Sequence, residues 1–506
     1  MLVRVFGATL HVIEGVRVSV EVEAGAGLPA FHIVGQADRV VNESRDRIRA
    51  AFRQSGLEFP PGRVTVNLAP TGLPKVGSAL DLPIAVAIAG TRVELAEAKL
   101  ARALFLGELG LDGALRPVRG VLAMLGAADG GPIRQIVVAN GNLGEASLCP
   151  GLESLGAADL AQVLAWLRDG AALSSPAERG ASAAPPPVDL DLAEIHGQEN
   201  AKRALEIAAA GGHNLLLVGP PGSGKTLLAR RLPGILPPLP FAAALEATRI
   251  HSAAGTLASD SLLAQPPFRA PHHSTSDAGM AGGGRPVRPG EISLAHRGVL
   301  FLDELPEFRR PVLEALRQPL EEGEIRIARA HGSARLPARF QLVAAMNPCP
   351  CGWRGTAGHE CRCLEPEIGR YRAKLSGPLL DRIDLHVSVA PVPWRDMLRA
   401  GRAAEPSARV RERVCAARER QARRHASETW LTNADLPNAA LAAHCRLDSE
   451  ARALLERSVG ALGLTMRAFV RVLRVARTLA DLDGAVALSS AHVAEAVSYR
   501  ALDRAR

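Results

Sequence analysis

The chain has 506 residues, 47% of them hydrophobic and 22% charged, which excludes wholesale disorder and, at about 100–200 residues per domain, predicts about three domains. The opening MLVRVFGATLHVIEG has neither a basic start nor a long apolar run, and no apolar stretch of about 18 residues is bounded like a membrane span, so a cytoplasmic chain with no membrane partner is expected. Basic residues exceed acids by 8, and residues 401–506 alone hold 18 Arg against 12 acids, which points to a polyanion partner or, more blandly, to a solvated helical surface.

Residues 1–172 alternate short apolar runs with turn residues. The runs 16–22, 63–68, 103–106 and 133–139 read as strands and 80–89 as a helix, an α+β pattern. Residues 173–188 are rich in Ala, Ser and Pro, the composition of a stiff exposed linker. From 189 to 400, strands at 214–218, 299–302, 341–345 and 385–390 alternate with helix-length segments, which predicts a parallel αβα sandwich. Residues 401–506 read as helical throughout, at 408–424, 449–462, 466–482 and 491–502. The expected fold class is therefore multidomain α/β.

Directly after the run 214–218 stand Gly219, Pro220, Pro221, Gly222, Ser223, Gly224, Lys225 and Thr226, a GxxxxGK[ST] loop in the strand–loop–helix setting it requires. Its glycines let backbone N–H groups turn inward around phosphates at a helix N-terminus. Only five residues of the chain are Lys; Lys225 supplies a compact charge between the β- and γ-phosphates, where a planar guanidinium does not fit. Thr226 offers a hydroxyl to Mg2+. Segment 268–288 holds His272, His273, Ser274, three consecutive glycines, Arg285 and Arg288, too polar and flexible for core. The run 298–302 ends in Asp303, placed for the Mg2+ shell, and Glu304, placed to polarise the attacking water.

Residues 322–333 read as a hairpin with Arg326, Arg329 and His331 near its tip. A third strand ends at Asn347, which orients that water or senses the γ-phosphate, unless Asn-Pro is a simple turn. Cys349, Cys351, Cys361 and Cys363 form two CxC pairs suited to a tetrahedral structural Zn2+, with His359 as a spare ligand; free thiols and redox pairing are the alternatives. Cys149, Cys415 and Cys445 are scattered. Arg382 and Arg467 are candidate donors to the spread phosphate charge of a transition state, or else surface residues.

The segments Ile195-His-Gly-Gln198-Glu199, Arg269-Ala-Pro-His-His273-Ser, Gly290-Glu-Ile-Ser-Leu-Ala-His296, Leu302-Asp-Glu-Leu-Pro-Glu307-Phe, Met346-Asn-Pro-Cys-Pro-Cys-Gly352 and Leu375-Ser-Gly-Pro-Leu-Leu-Asp-Arg-Ile-Asp384, in this order around the P-loop, resemble the magnesium-chelatase-type AAA+ ATPases and, more closely, the ComM/YifB family. The resemblance implies a homo-hexameric ring ATPase using ATP and Mg2+ between subunits. Lys225 and Thr226 match its Walker A residues, Asp303 and Glu304 Walker B, Asn347 sensor 1, Arg382 a finger acting in trans and Arg467 sensor 2. The implied role is a helicase-like DNA motor that drives branch migration on single-stranded and branched DNA during natural transformation, with recombinase-associated proteins as further partners. In such a ring, segment 268–288 faces the pore or the subunit interface, and the 322–333 hairpin contacts DNA through Arg326, Arg329 and His331 unless it is an ordinary exposed hairpin.

Residues 1–172 resemble the Lon protease domain through Leu73-Pro-Lys75-Val-Gly77-Ser78-Ala79 and the run 107–120. A Ser-Lys protease needs a lysine two residues after Gly120, and Leu122 stands there. Ser78 is expected to be a structural remnant, the domain a non-proteolytic collar that touches DNA or organises the ring, and an ATP-dependent protease is disfavoured. The other reading is a chelatase-type motor remodelling a protein partner for metal insertion into a tetrapyrrole.

Overall fold

The computed structural model describes residues 2–176, 190–284, 287–329, 332–356, 358–392, 405–426, 431–463 and 465–500. They fall into two compact units: Met1–Ala184 with Ala242–Leu263 and Gly283–Pro289, and Pro185–Phe241 with Ala264–Gly282 and Gly290–Arg506. From residue 177 on, the expected linker lies outside the described residues.

In the first unit seven strands form one mixed sheet, ordered Ala30–Val34, Arg63–Ala69, Glu14–Gly25, Leu2–His11, Ala103–Phe105, Gln135–Ala139, Glu153–Ala157. Within Arg63–Ala69, Val64, Val66 and Leu68 are buried while their neighbours are not, the period-two pattern of a strand with one covered face. Helix Asp81–Ala89 is buried along its whole length, so it needs no polar face and belongs to the core. Helix Phe241–Ala254 follows the P-loop in sequence, yet all but its first residue joins this unit. Its Ser252 hydroxyl donates to Glu145 Oε1 at 2.6 Å and accepts the Ala123 N–H at 3.3 Å.

The second unit is built on a five-stranded parallel sheet, ordered Phe268–Arg269, Val299–Leu302, Gln341–Met346, Leu215–Val218, Leu385–Ser388. Every residue of Val299–Leu302 and Gln341–Met346 is buried, as strands covered by helices on both faces must be. The mixed α/β chain with a parallel sheet is the architecture expected of an AAA+-type domain. One apolar cluster joins Leu217 and Val387 of the sheet to Leu205 of helix Glu199–Gly211, Val414 of helix Ser407–Arg424 and Leu473 of helix Met466–Leu482. The C-terminal helices thus share the sandwich's core. Side-chain caps mark two of their starts: Asp448 Oδ1 accepts the Ala451 N–H at 2.7 Å, and Thr465 Oγ1 the Ala468 N–H at 3.2 Å. Among the described residues no helix is long and apolar enough to cross a membrane.

Candidate active site

The sheet register brings the predicted nucleotide residues to one place. Val218 pairs with Met346 and Leu302 with Ala344, so Gly219, Asn347 and Asp303 emerge side by side at the carboxyl edge, where open parallel sheets bind ligands. Gly224 has φ +90°, which a side chain resists, and a Cβ on Gly219 would lie 2.2 Å from the Val389 carbonyl oxygen. Lys225 Nζ donates to the Gly219 and Pro220 carbonyls at 2.7 and 2.8 Å and to Asn347 Oδ1 at 3.2 Å. Thr226 Oγ1 donates to Asp303 Oδ2 at 2.6 Å. Burial lowers the Lys225 pKa, and the nearby Asp303 and Glu304 only partly restore it. A hydroxyl beside a carboxylate is the hard-oxygen donor set that Mg2+ takes, so these residues fit the ion.

Glu304 follows Asp303 in the left-handed region, φ +51°, a strained conformation for a non-glycine residue of the kind that concentrates at functional sites. Its N–H donates to Asp303 Oδ1 at 2.9 Å, and its carboxylate, 57% exposed, lies 3.7 Å from His273 Nδ1. The sequence reading gave His273 no catalytic role. Its signals were its place in the polar segment 268–288 and its position just past Phe268–Arg269, the strand beside Asp303's own.

Arg382 and Arg467 lie at the other end of the sheet. The Arg382 carbonyl accepts from Asn214 Nδ2 at 2.8 Å, and Asn214 directly precedes strand Leu215–Val218, which Gly219 follows about 16 Å away at ~3.3 Å per residue. Arg382 pairs with Glu321, and Arg467 lies 3.7 Å from Asp381. Burial depresses the Arg382 pKa, and Arg317, Arg467 and Arg471 lower it further.

Asp384, in the same turn, was given no role by the sequence reading. It is buried, pairs with Arg471 and takes His213 Nδ1 at 3.3 Å. His213 Nε2 in turn lies 2.7 Å from Thr478 Oγ1. The network therefore fastens helix Met466–Leu482, with Arg467 at its start, to the strand that follows Arg382. Burial alone raises the Asp384 pKa; Arg471, the His213 hydrogen bond and Arg474 outweigh it and hold the carboxyl well below its usual range. Asp384→Ala leaves the partly buried Arg471 and the buried His213 without their carboxylate and is expected to cost up to about 3 kcal/mol, read as a lowered denaturant midpoint at unchanged slope. Because the folded pKa is depressed, this stabilisation is complete above about pH 5 and fades as pH falls below about 4.

The expected hairpin forms, Glu324–Arg329 pairing antiparallel with Gly332–Pro337. Arg326 is engaged by Glu322 at 3.2 Å and Glu324 at 2.8 Å. The Arg329 side chain and all of His331 lie outside the described residues, as does Arg285. The four cysteines after Asn347 come together, their sulfurs all within 4.8 Å of one another.

Residues 191–397 match the family described as "Magnesium chelatase, subunit ChlI", residues 20–142 "Subunit ChlI of Mg-chelatase" and residues 404–500 the ChlI C-terminal family. The chain is 45% identical to the uncharacterized protein YifB of Escherichia coli over 488 residues, 96% of this chain and 94% of that one. It is 44% identical to the competence protein ComM of Haemophilus influenzae over 490 residues, 96% and 95%. The magnesium-chelatase 38 kDa subunit of Rhodobacter capsulatus is more distant, 27% identical over 59% of this chain and 83% of its own length. The chain belongs to the ComM/YifB family of magnesium-chelatase-like proteins.

Proposed function

We propose that the chain is an ATP hydrolase of the AAA+ type, working as a homo-hexameric ring that moves branched or single-stranded DNA. The observation that carries the ATPase reading is the meeting of Lys225 with Asn347 and of Thr226 with Asp303 at one sheet edge. The P-loop would cradle the phosphates of ATP, with Thr226 and Asp303 holding Mg2+. When bound, Mg2+ neutralises charge on the β- and γ-phosphates. Asn347 holds Lys225 in the loop, and Glu304 accepts the proton of the attacking water. Arg382 and Arg467, facing away from their own P-loop, stabilise charge on a neighbouring subunit's triphosphate.

The DNA half of the proposal rests on near-full-length similarity to a competence protein and on the shorter, weaker similarity to a chelatase subunit. The first unit supports a collar without protease activity. Ser78 donates to the Glu108 carboxylate, Lys75 to the Pro70 carbonyl, and Leu122 is fully buried among apolar side chains. In the ring the hairpin contacts the DNA backbone, with Arg326 exchanging Glu322 and Glu324 for phosphate. Alanine at Arg326, Arg329 and His331 together is expected to leave nucleotide binding intact and abolish the stimulation of hydrolysis by forked DNA. Stimulation equal to that of the unaltered chain refutes the hairpin assignment.

A further inference from the structure

The sensor strand runs straight from Met346-Asn347-Pro348 into the cysteine cluster. Cys349 Sγ lies 3.4 Å from Cys351 Sγ and 3.7 Å from Cys361 Sγ, with 3.7 Å between Cys351 and Cys361. Cys363 joins them within 4.8 Å. Thiolates bound to one tetrahedral Zn2+ at about 2.3 Å stand about 3.8 Å apart. A disulfide needs about 2.05 Å, and all seven cysteines are free. An iron–sulfur cube binds each thiolate to a different iron, which spreads the sulfurs farther than one ion does.

The surroundings suit a tetrathiolate. The Arg354 N–H points to Cys349 Sγ at 3.4 Å and the Cys351 N–H to Cys363 Sγ at 3.3 Å, second contacts that spread thiolate charge and orient the ligands. His359 stacks on the Trp353 ring at 4.0 Å and leaves the set to sulfur. The turn between the ligands also touches the P-loop: a Cβ on Gly352 would lie 2.6 Å from Pro221 Cδ and 3.8 Å from Asn347 Cγ.

We propose that Cys349, Cys351, Cys361 and Cys363 bind one structural Zn2+, and that this metal knuckle, through Gly352 against Pro221, braces the P-loop so that zinc occupancy sets nucleotide affinity. The second half rests on the ATP-site reading above. Elemental analysis of the full chain purified without chelator is expected to find one zinc per chain, and Co2+ grown in its place to give the intense visible bands of a tetrahedral thiolate site. Iron in place of zinc, or no metal, overturns the site. Removing zinc from the folded protein with a chelator is expected to raise the Kd for a fluorescent ADP analogue on the order of tenfold. Gly352→Ala keeps all four thiols and crowds Pro221; it is expected to retain zinc and weaken the analogue similarly. Unaltered analogue affinity in both samples overturns the brace. Metal content is read without nucleotide, so a zinc-loaded chain that binds no nucleotide at all refutes the ATP-site reading and the brace, and leaves the metal site standing.

Discussion

Glu304→Gln is expected to lower ATP turnover about 10²–10⁴-fold, the usual worth of a positioned general base, while ATP is still bound. Gln keeps the size of the side chain and removes its ability to take a proton. Asp303 and Thr226 keep their 2.6 Å contact, so the groups proposed to hold nucleotide are unchanged. The Glu304 carboxylate is more than half exposed, in a strained backbone position beside His273. It is therefore free to turn toward a water without losing a structural bond. Steady-state kinetics with a separate nucleotide-binding titration checks the split. A variant with unchanged kcat removes Glu304 from the reaction.

The second large effect separates action within a subunit from action between subunits. Lys225→Ala and Arg382→Ala are each expected to abolish hydrolysis, the arginine because a transition-state donor of this kind is worth about 10³–10⁵ in rate. Mixed in equal amounts before ring assembly, the two inactive chains are expected to regain activity. Random assembly makes about a quarter of the head-to-tail interfaces from an intact Lys225 on one side and an intact Arg382 on the other. The reason lies in the sheet: Lys225 follows the carboxyl end of strand Leu215–Val218, whereas Arg382 hydrogen-bonds Asn214 at its amino end. No recovery on mixing contradicts the placement of Arg382 at a neighbour's phosphate. Because Asp384 ties Arg471, one helical turn beyond Arg467, to the Arg382 turn, the two arginines move as one body in this account.

What could be read from the sequence follows from how local its physics is. The apolar strands Val299–Leu302 and Gln341–Met346 stood out as uninterrupted runs. The helices Ser449–Leu462 and Met466–Leu482 were bounded correctly at both ends, because Asp448 and Thr465 cap their starts and Gly463 and Asp483 close them. The placement of Lys225 and Thr226 at the start of a helix directly after a buried strand was legible, because the glycine-rich GxxxxGK[ST] loop joins those two elements. By contrast, the pairing of Leu2–His11 with Ala103–Phe105 depends on long-range return of the chain. Helix Phe241–Ala254 carries apolar residues, but nothing in its spacing says which core receives them. His273 beside Glu304 and Asp384 beside Arg471 were missed for the same reason: single polar residues whose partners lie 31 and 87 positions away on other elements.

The most direct test of the DNA-motor proposal is migration of a labelled four-stranded DNA junction by the full chain with ATP and Mg2+, run beside Glu304→Gln. The account predicts that the unaltered chain converts the junction to its separated arms and that Glu304→Gln leaves it intact. An unaltered chain that hydrolyses ATP yet leaves the junction unmoved contradicts it.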